Sequence, residues 1–240
     1  MDKKIPIRQI FLQNKCLDSC TIFFIFNVGS INENRKVLGI SHFIEHMLFK
    51  GTKYIPKSED LLKKLDSYGA DYNAFTTNNL TGYYVKTMKE YQLTVFKLFY
   101  DMLFNSIFDD KEIKNEREVI KEEYIRDKND NSSIIEQLTI ETVLKETPYK
   151  YPIIGYINTI NKINRNDLIN YWKKYYTKKN CVVVVNGNIS NDLIRHVNKI
   201  KINNSDILYP NIQIKDQNKY RIKFKLDKDS NQTFLSICFK

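Results

Sequence analysis

The chain has 240 residues, a net charge of +10 and a hydrophobic content of 42%, with 13% aromatic residues. This composition excludes an intrinsically disordered protein, and the length allows one large domain or two small ones with a substantial core. The 38 lysines and arginines are spread along the whole chain, without a dense basic run or a recognisable nucleic-acid-binding module. We therefore expect no nucleic-acid partner.

No segment has the character of an export signal or a membrane span. Residues Met1–Pro6 lack an apolar stretch, and the most apolar run, Thr21–Val28, is far shorter than the about 20 residues that a membrane-spanning helix needs. The four cysteines show no spacing typical of a zinc or redox site, which favours free thiols in a reducing compartment. We expect a soluble protein of the cytoplasm or another intracellular compartment.

The first predicted elements are two strands, Ile7–Leu12 and Thr21–Val28, which are apolar and end before Gly29. A polar connection then leads into a helix that stops near Gly51 and carries two histidines. A second helix follows, for which the sequence predicts Ser58 as the capping residue.

The first helix contains the pattern H-x-x-E-H, formed by His42, Glu45 and His46. Side chains four residues apart lie on the same helix face, so the two imidazoles can share one divalent cation, with the glutamate beside them. The alternative is a surface decoration or a hydrogen-bonded core pair. Two of the three histidines fall in this motif and the flanking residues are apolar, which favours a metal because unpaired polar groups are costly in an interior.

Residues 69–77 and 81–88 are rich in aromatic and β-branched residues with turn residues between them, which predicts a hairpin. An apolar stripe at helical spacing predicts the next helix over 91–105. A long helix follows over 111–126, with Asp109 or Asp110 as its cap. We expect the polar run 127–133 to interrupt it and a further helix over 134–145.

The remaining elements are a helix over 166–175, a buried strand over 181–185 and a short helix over 191–200. Two more strands are predicted over 220–226 and 233–239. Helices and strands are mixed without strict alternation, which predicts an α+β fold with a mostly antiparallel sheet and helices packed against it. We expect a domain over 1–205, a linker over 206–219 and the start of a second domain over 220–240.

A catalytic zinc ion usually takes three protein ligands and keeps one position open, so a third ligand must come from elsewhere. The long helix offers four glutamates, Glu116, Glu118, Glu122 and Glu123. Glu116 and Glu123 are seven residues apart and share a face. The alternative is a charged, solvated helix, and periodicity does not choose between Glu122 and Glu123.

The segment 42–52 resembles the active-site segment of the pitrilysin/insulinase family, which includes the mitochondrial processing peptidases and bacterial zinc proteases. Other segments match that family in the same order, from about residue 7 to residue 200. They are Val28-Gly29-Ser30, Gly69-Ala70-x-x-Asn73-Ala74-x-Thr76, Thr81-x-Tyr83, Glu116-Arg117-x-Val119-Ile120-x-x-Glu123, Gly155 and Val182–Gly187.

This resemblance implies one Zn²⁺ per chain, bound by His42, His46 and Glu123. It also implies that Glu45 is the general base and that Glu116 supports the site without binding the metal itself. The ligand glutamate of the family lies seven residues after the glutamate of its Glu-Arg pair, which selects Glu123. The implied activity is that of a zinc metalloendopeptidase, in which a metal-activated water attacks the peptide bond.

The resemblance further implies a peptide or unfolded protein as substrate, bound beside a strand that contains Asn73 and Ala74. Family members carry a second domain of the same architecture, on the same chain or on a partner, that closes over the substrate like a clamshell. That domain supplies an arginine and a tyrosine, which no segment of residues 1–240 provides. We therefore expect full activity to need a second domain or subunit. The alternative is a catalytically weak binding or assembly subunit, although such members tend to lose the motif that is complete here.

Overall fold

The computed structural model describes residues 7–202, 207, 209–210, 212–214, 221–225 and 231–238. Within this part of the chain five strands form one sheet, in the order β1-β5-β2-β4-β3. Three of the four pairings are antiparallel, and β1 pairs with β5 in parallel. The strands are β1 (Arg8–Gln13), β2 (Ser19–Phe26), β3 (Asp71–Thr76), β4 (Thr81–Met88) and β5 (Cys181–Gly187).

Eight α-helices accompany the sheet in the described residues, and the α+β prediction is confirmed. None of the helices there has the length and apolar character needed to cross a membrane. The helices are α1 (Ile40–Met47), α2 (Ser58–Asp66), α3 (Gln92–Phe104), α4 (Asp110–Asn129), α5 (Asn131–Val143), α6 (Ile157–Ile160), α7 (Arg165–Tyr175) and α8 (Asn191–Asn198).

The core lies on one face of the sheet, and strand β2 shows how it is built. Its even-numbered residues are buried, whereas its odd-numbered residues are half-exposed. The ring of Phe24 lies 6.1 Å from that of Phe99 and 6.3 Å from that of Phe96, both on α3. Each buried aromatic side chain stabilises the fold by about 2–3 kcal/mol. The alternation of side chains along a strand therefore anchors α3 to the middle of the sheet.

Strand β3 lies at one edge of the sheet and hydrogen-bonds only to β4 among the described strands. The predicted hairpin of β3 and β4 is thereby confirmed. Helix α1 packs against β3, which brings the H-x-x-E-H motif next to this edge. Alternation along β3 places Ala74 and Thr76 on the same face, and the side chain of Asn73 is exposed.

The prediction that Ser58 caps α2 was wrong. Ser58 is the first residue of the helix, and the capping position is taken by Lys57, whose side chain makes no capping hydrogen bond. A capping side chain needs an extended backbone to reach back to the first free N–H groups. Lys57 has that conformation and Ser58 does not, so the serine hydroxyl cannot serve as the cap.

The predicted interruption over 127–133 was also wrong, because α4 continues to Asn129 and α5 begins at Asn131. Asp130 alone separates them, and its carboxylate accepts hydrogen bonds from the N–H and hydroxyl of Ser133. One capping residue is enough to end one helix and begin the next. Asp109, one of the two predicted caps of α4, accepts from the N–H groups of Lys111 and Glu112.

The two predicted C-terminal strands are not found in the described residues that they include. Residues 221–225 and 233–238 form no strand there, whereas Tyr220, Leu226 and Phe239 lie outside the described residues. A strand is stable only when its backbone pairs with another strand. The segment 221–225 instead contacts α5 through an ion pair of 2.7 Å between Lys223 and Glu141.

Candidate metal centre

Helix α1 separates its apolar and its polar residues onto two faces. Phe43, Ile44 and Met47 are fully buried, whereas His42, Glu45 and His46 are half-exposed. The buried side chains hold the helix in the core, so the motif residues point away from it. Local sequence and helical periodicity are sufficient to place these three residues on one face.

The structure brings His42, His46 and Glu123 together, as the only group of donors with metal-site spacing found in the described residues. Nε2 of His42 lies 3.2 Å from Nε2 of His46. A carboxylate oxygen of Glu123 lies 3.8 Å and 3.5 Å from these two nitrogens, and Glu122 is exposed. Ligands about 2.0–2.2 Å from a tetrahedral zinc ion lie about 3.3–3.6 Å apart, so the three donor atoms fit one zinc ion.

Glu116 lies behind His46 and orients its ring. Its carboxylate lies 2.8 Å from Nδ1 of His46 and 2.6 Å from the ammonium group of Lys50. Burial alone would raise the pKa of Glu116, but the hydrogen bonds from His46 and Lys50 and the charge of Lys50 outweigh it and lower the pKa. A proton on Nδ1 of His46 leaves the lone pair of Nε2 free to face a metal. Sequence reasoning missed the role of Lys50.

The two histidines differ in their electrostatic surroundings. Burial and the neighbouring His46 together lower the pKa of His42 from 6.5 to about 3, against the opposing charge of Glu116, so the ring is neutral at physiological pH. Burial also acts to lower the pKa of His46, but the hydrogen bond to Glu116 and the charges of Glu123, Glu116 and Glu45 raise it overall. A neutral imidazole next to several carboxylates is the setting that a divalent cation favours.

Glu45, the predicted general base, accepts a hydrogen bond from the hydroxyl of Thr76 on β3. Burial raises the pKa of Glu45, whereas Thr76 and His46 act in the opposite direction. A raised pKa suits a group that takes up and releases a proton near neutral pH. Sequence reasoning missed this role of Thr76. The alternation of side chains along β3 could have indicated it, because it places Thr76 on the less exposed face of the strand, together with Ala74.

A cavity of about 670 Å³ opens beside the motif. Its lining includes His42, Glu45, Thr76 and Glu123, together with residues of α5 and with tyrosine and isoleucine residues of the segment 149–154. This volume lies within the range of about 300–1,000 Å³ found for ligand-binding clefts. Asn73 and Ala74 do not line the cavity, whereas the nearby residues Phe75, Thr76 and Asn78 do.

Comparison with known proteins agrees with this arrangement. The family model for insulinase (peptidase family M16) matches residues 9–156, and that for the peptidase M16 inactive domain matches residues 162–240. An uncharacterized zinc protease, YmxG of Bacillus subtilis, is 33% identical over 193 residues, which are 80% of this chain and 47% of YmxG. The beta subunit of the mitochondrial-processing peptidase of Bos taurus is 31% identical over 190 residues, 79% of this chain and 38% of that subunit.

The fold matches a solved structure as well. A protease from Helicobacter pylori superposes with a TM-score of 0.76 and 25% sequence identity, over 82% of this chain and 47% of the protease. The chain thus spans less than half the length of each of these relatives. The first family model covers more than half of the chain, which confirms the resemblance seen in the motifs. The chain belongs to the insulinase family of metallopeptidases, peptidase family M16.

Proposed function

We propose that this chain forms the zinc-binding part of a metalloendopeptidase that hydrolyses peptides or unfolded proteins, with one Zn²⁺ per chain. The observation that carries the proposal is the convergence of His42, His46 and Glu123, whose donor atoms lie 3.2–3.8 Å apart. Glu45 lines the same cavity as His42 and Glu123, where a peptide carbonyl and a water molecule could meet. The distances between the donor atoms, the neutral state of His42 and the family membership all support these three residues as the metal ligands.

Bound zinc would act as a Lewis acid that polarises the peptide carbonyl and acidifies water. Glu45 takes the proton from the attacking water and passes it to the leaving amine. The hydroxyl of Thr76 holds the Glu45 carboxylate in place, and Glu116 keeps the ring of His46 in the required tautomer. The chain thus supplies the proton carrier and the orientation of the site.

The free edge of β3 is the proposed docking place for the substrate. An extended peptide can add to a sheet edge through backbone hydrogen bonds, and β3 has a strand neighbour on one side only in the described sheet. Asn73 and Ala74 lie on this strand, three and two residues before Thr76, respectively. A peptide bound there would run past the general base and into the cavity.

A second domain or subunit would complete the enzyme. The relatives are more than twice as long as the matched part, and one of them is named as a subunit. We propose a first domain over 1–205, a linker over 206–219 and a second domain that begins at 220. The pairing of β5 with β1 and β2 supports a boundary after Gly187, because β5 lies within the inactive-domain match yet belongs to the first sheet.

Zinc content tests the metal site directly. We expect one zinc per chain in the wild type, loss of zinc in Glu123→Gln and retention in Glu122→Gln, a matched control on the same helix whose side chain is exposed. Zinc retained by Glu123→Gln would refute the assignment. Wild-type protein without zinc would refute the proposal for this chain.

Peptide hydrolysis tests the role of Glu45. In the protein completed by its second domain or subunit, we expect Glu45→Gln to reduce kcat by about 100-fold or more with zinc still bound. Unchanged hydrolysis by Glu45→Gln would contradict the general-base role. A wild type that binds zinc and peptide but hydrolyses nothing would favour the binding or assembly subunit instead.

A further inference from the structure

Helix α1 begins without a capping side chain of its own, because its capping position is Gly39. The carboxyl group of Glu33, six residues upstream, takes over this task. One oxygen of Glu33 accepts from the N–H of Gly39 at 2.7 Å, and the other accepts from the N–H of Ser41 at 2.9 Å. Glu33 is half-buried as a residue, but its carboxyl group is enclosed by protein. The first free N–H groups of the helix are thus satisfied from outside the helix.

The same turn is held from two further directions. The hydroxyl of Ser41 lies 2.9 Å from that of Tyr171, and Thr159 donates to the carbonyl of Leu38 at 2.8 Å. Gly39 has a φ of +94° and packs so closely against the backbone of residues 154–155 that a side chain there would collide with it. The backbone that leads into α1 is therefore closely packed, and Glu33 accepts hydrogen bonds from two of its N–H groups.

The two histidines depend on this entry to different degrees. Nδ1 of His46 is held by Glu116, whereas Nδ1 of His42 is buried and has no hydrogen-bond partner in the described part of the chain. A metal-binding histidine normally donates its second ring nitrogen to a partner that fixes the ring. His42 follows Ser41 directly, so the position of its ring depends on the backbone that Glu33 holds.

We infer that Glu33 is a positioning residue of the metal centre, which sets the place of His42 by holding the first turn of α1. This inference rests on the proposed function, since it presupposes that His42 binds zinc. Each carboxyl oxygen of Glu33 keeps a lone pair for its N–H partner whether the group is ionised or protonated. Replacing Glu33 by Gln keeps the shape of the side chain but turns one of these acceptors into an NH₂ group that faces a backbone N–H. Because a donor cannot accept, the turn must shift, and His42 shifts with it.

The test compares the wild type with Glu33→Gln, Glu33→Asp and Ser190→Ala. Ser190 caps α8 by accepting from the N–H of Leu193 at 3.2 Å, so its loss weakens a helix that contains no residue of the site. Zinc affinity is measured by competition with a chelating dye. Co²⁺ is then bound in place of zinc, because its visible absorption bands report the ligand geometry, and Tm is recorded for each metal-free variant.

We expect Glu33→Gln to weaken zinc binding by about tenfold or more and to shift the Co²⁺ bands. Glu33→Asp keeps both acceptors on a shorter side chain and should lie between Glu33→Gln and the wild type. Ser190→Ala should lower Tm while leaving zinc affinity and the Co²⁺ spectrum unchanged. If Glu33→Gln does not fold, weaker binding and shifted bands in Glu33→Asp support the inference.

The inference is overturned if Glu33→Gln, or Glu33→Asp in its place, lowers Tm but has wild-type zinc affinity and a wild-type Co²⁺ spectrum. Glu33 would then be a helix cap without influence on the metal. A wild-type chain that binds neither Zn²⁺ nor Co²⁺ refutes the proposed function itself and this inference with it. The first result leaves the zinc site standing and the second does not, so the two failures are distinguishable.

Discussion

The two ends of α1 hold their histidines by different physical means. At the C-terminal end, His46 is oriented by charged side chains, since it contacts Glu116, which in turn pairs with Lys50. At the N-terminal end, His42 has no partner for Nδ1 among the described residues, and the backbone before it is held by Glu33. One turn of helix therefore carries the two proposed zinc ligands, and their positions can be disturbed independently.

The largest effect is expected from removing a proposed zinc ligand at either end of α1. His42→Ala and His46→Ala should each reduce zinc affinity by more than about 100-fold, beyond the range typical of residues behind a ligand. His196→Ala is the matched control, since His196 is exposed on α8. Dye competition measures the affinity, and a zinc affinity kept by either motif variant would exclude that histidine as a ligand.

A smaller effect is expected from the charge behind His46. Glu116→Gln should weaken zinc binding by about 10–100-fold, because the ring loses the anion that makes it a better electron donor. Glu118→Gln, on the same helix and largely exposed, serves as the control. Isothermal titration with zinc measures the change. Equal affinities of Glu116→Gln and wild type would show that α1 alone positions both rings.

Lys50→Met tests the ion pair between Lys50 and Glu116, which lies beyond Glu116 at the C-terminal end of α1. The ammonium group lies 2.6 Å from Glu116, and removing it leaves the buried carboxylate with His46 as its remaining partner. We expect the free energy of unfolding to fall by about 2 kcal/mol, with zinc affinity changed by less than about tenfold. Urea denaturation measures the free energy of unfolding of Lys50→Met. Lys63→Met is the control, because the side chain of Lys63 is exposed. Equal stabilities would show that the ion pair contributes nothing.

The smallest structural disturbance is a change of pH, which tests Glu33 at the N-terminal end of α1. Burial raises the pKa of Glu33 from 4.5 to about 8, against the opposing effect of the hydrogen bonds from Ser41 and Gly39. The folded chain therefore binds this proton more tightly than the unfolded chain, so the contribution of Glu33 is complete below pH 4.5 and is lost as the pH rises through 8. The hydroxyl of Tyr171, which lies nearby, has a pKa raised well above 10 and does not ionise in this range.

Urea denaturation of the metal-free chain at pH 6 and pH 8 measures this contribution. Over that interval the wild type should lose about 2 kcal/mol more free energy of unfolding than Glu33→Gln, which has no proton to lose there. Parallel pH profiles of the two proteins would contradict a buried, titrating Glu33.

Local patterns determined much of what was predicted. Helical periodicity alone places His42, Glu45 and His46 on one face, because residues three and four apart are neighbours on any α-helix. Alternation and turn residues likewise predicted the hairpin of β3 and β4. Ser58 shows the limit of such patterns, because capping depends on the backbone conformation of one residue, which composition does not reveal.

What the sequence by itself determined is therefore the motif, its helix, the α+β class and the family resemblance. Periodicity allows either Glu122 or Glu123, because both lie on the same helix, and the resemblance implies Glu123. The tertiary structure shows the physical reason, since it brings the carboxylate of Glu123 to within 3.8 Å of both histidines. The contacts of Glu45 with Thr76 and of His46 with Glu116 join residues 31 and 70 positions apart. Such contacts depend on how α1, α4 and β3 pack around one core, and packing is a property of the whole fold rather than of any short segment.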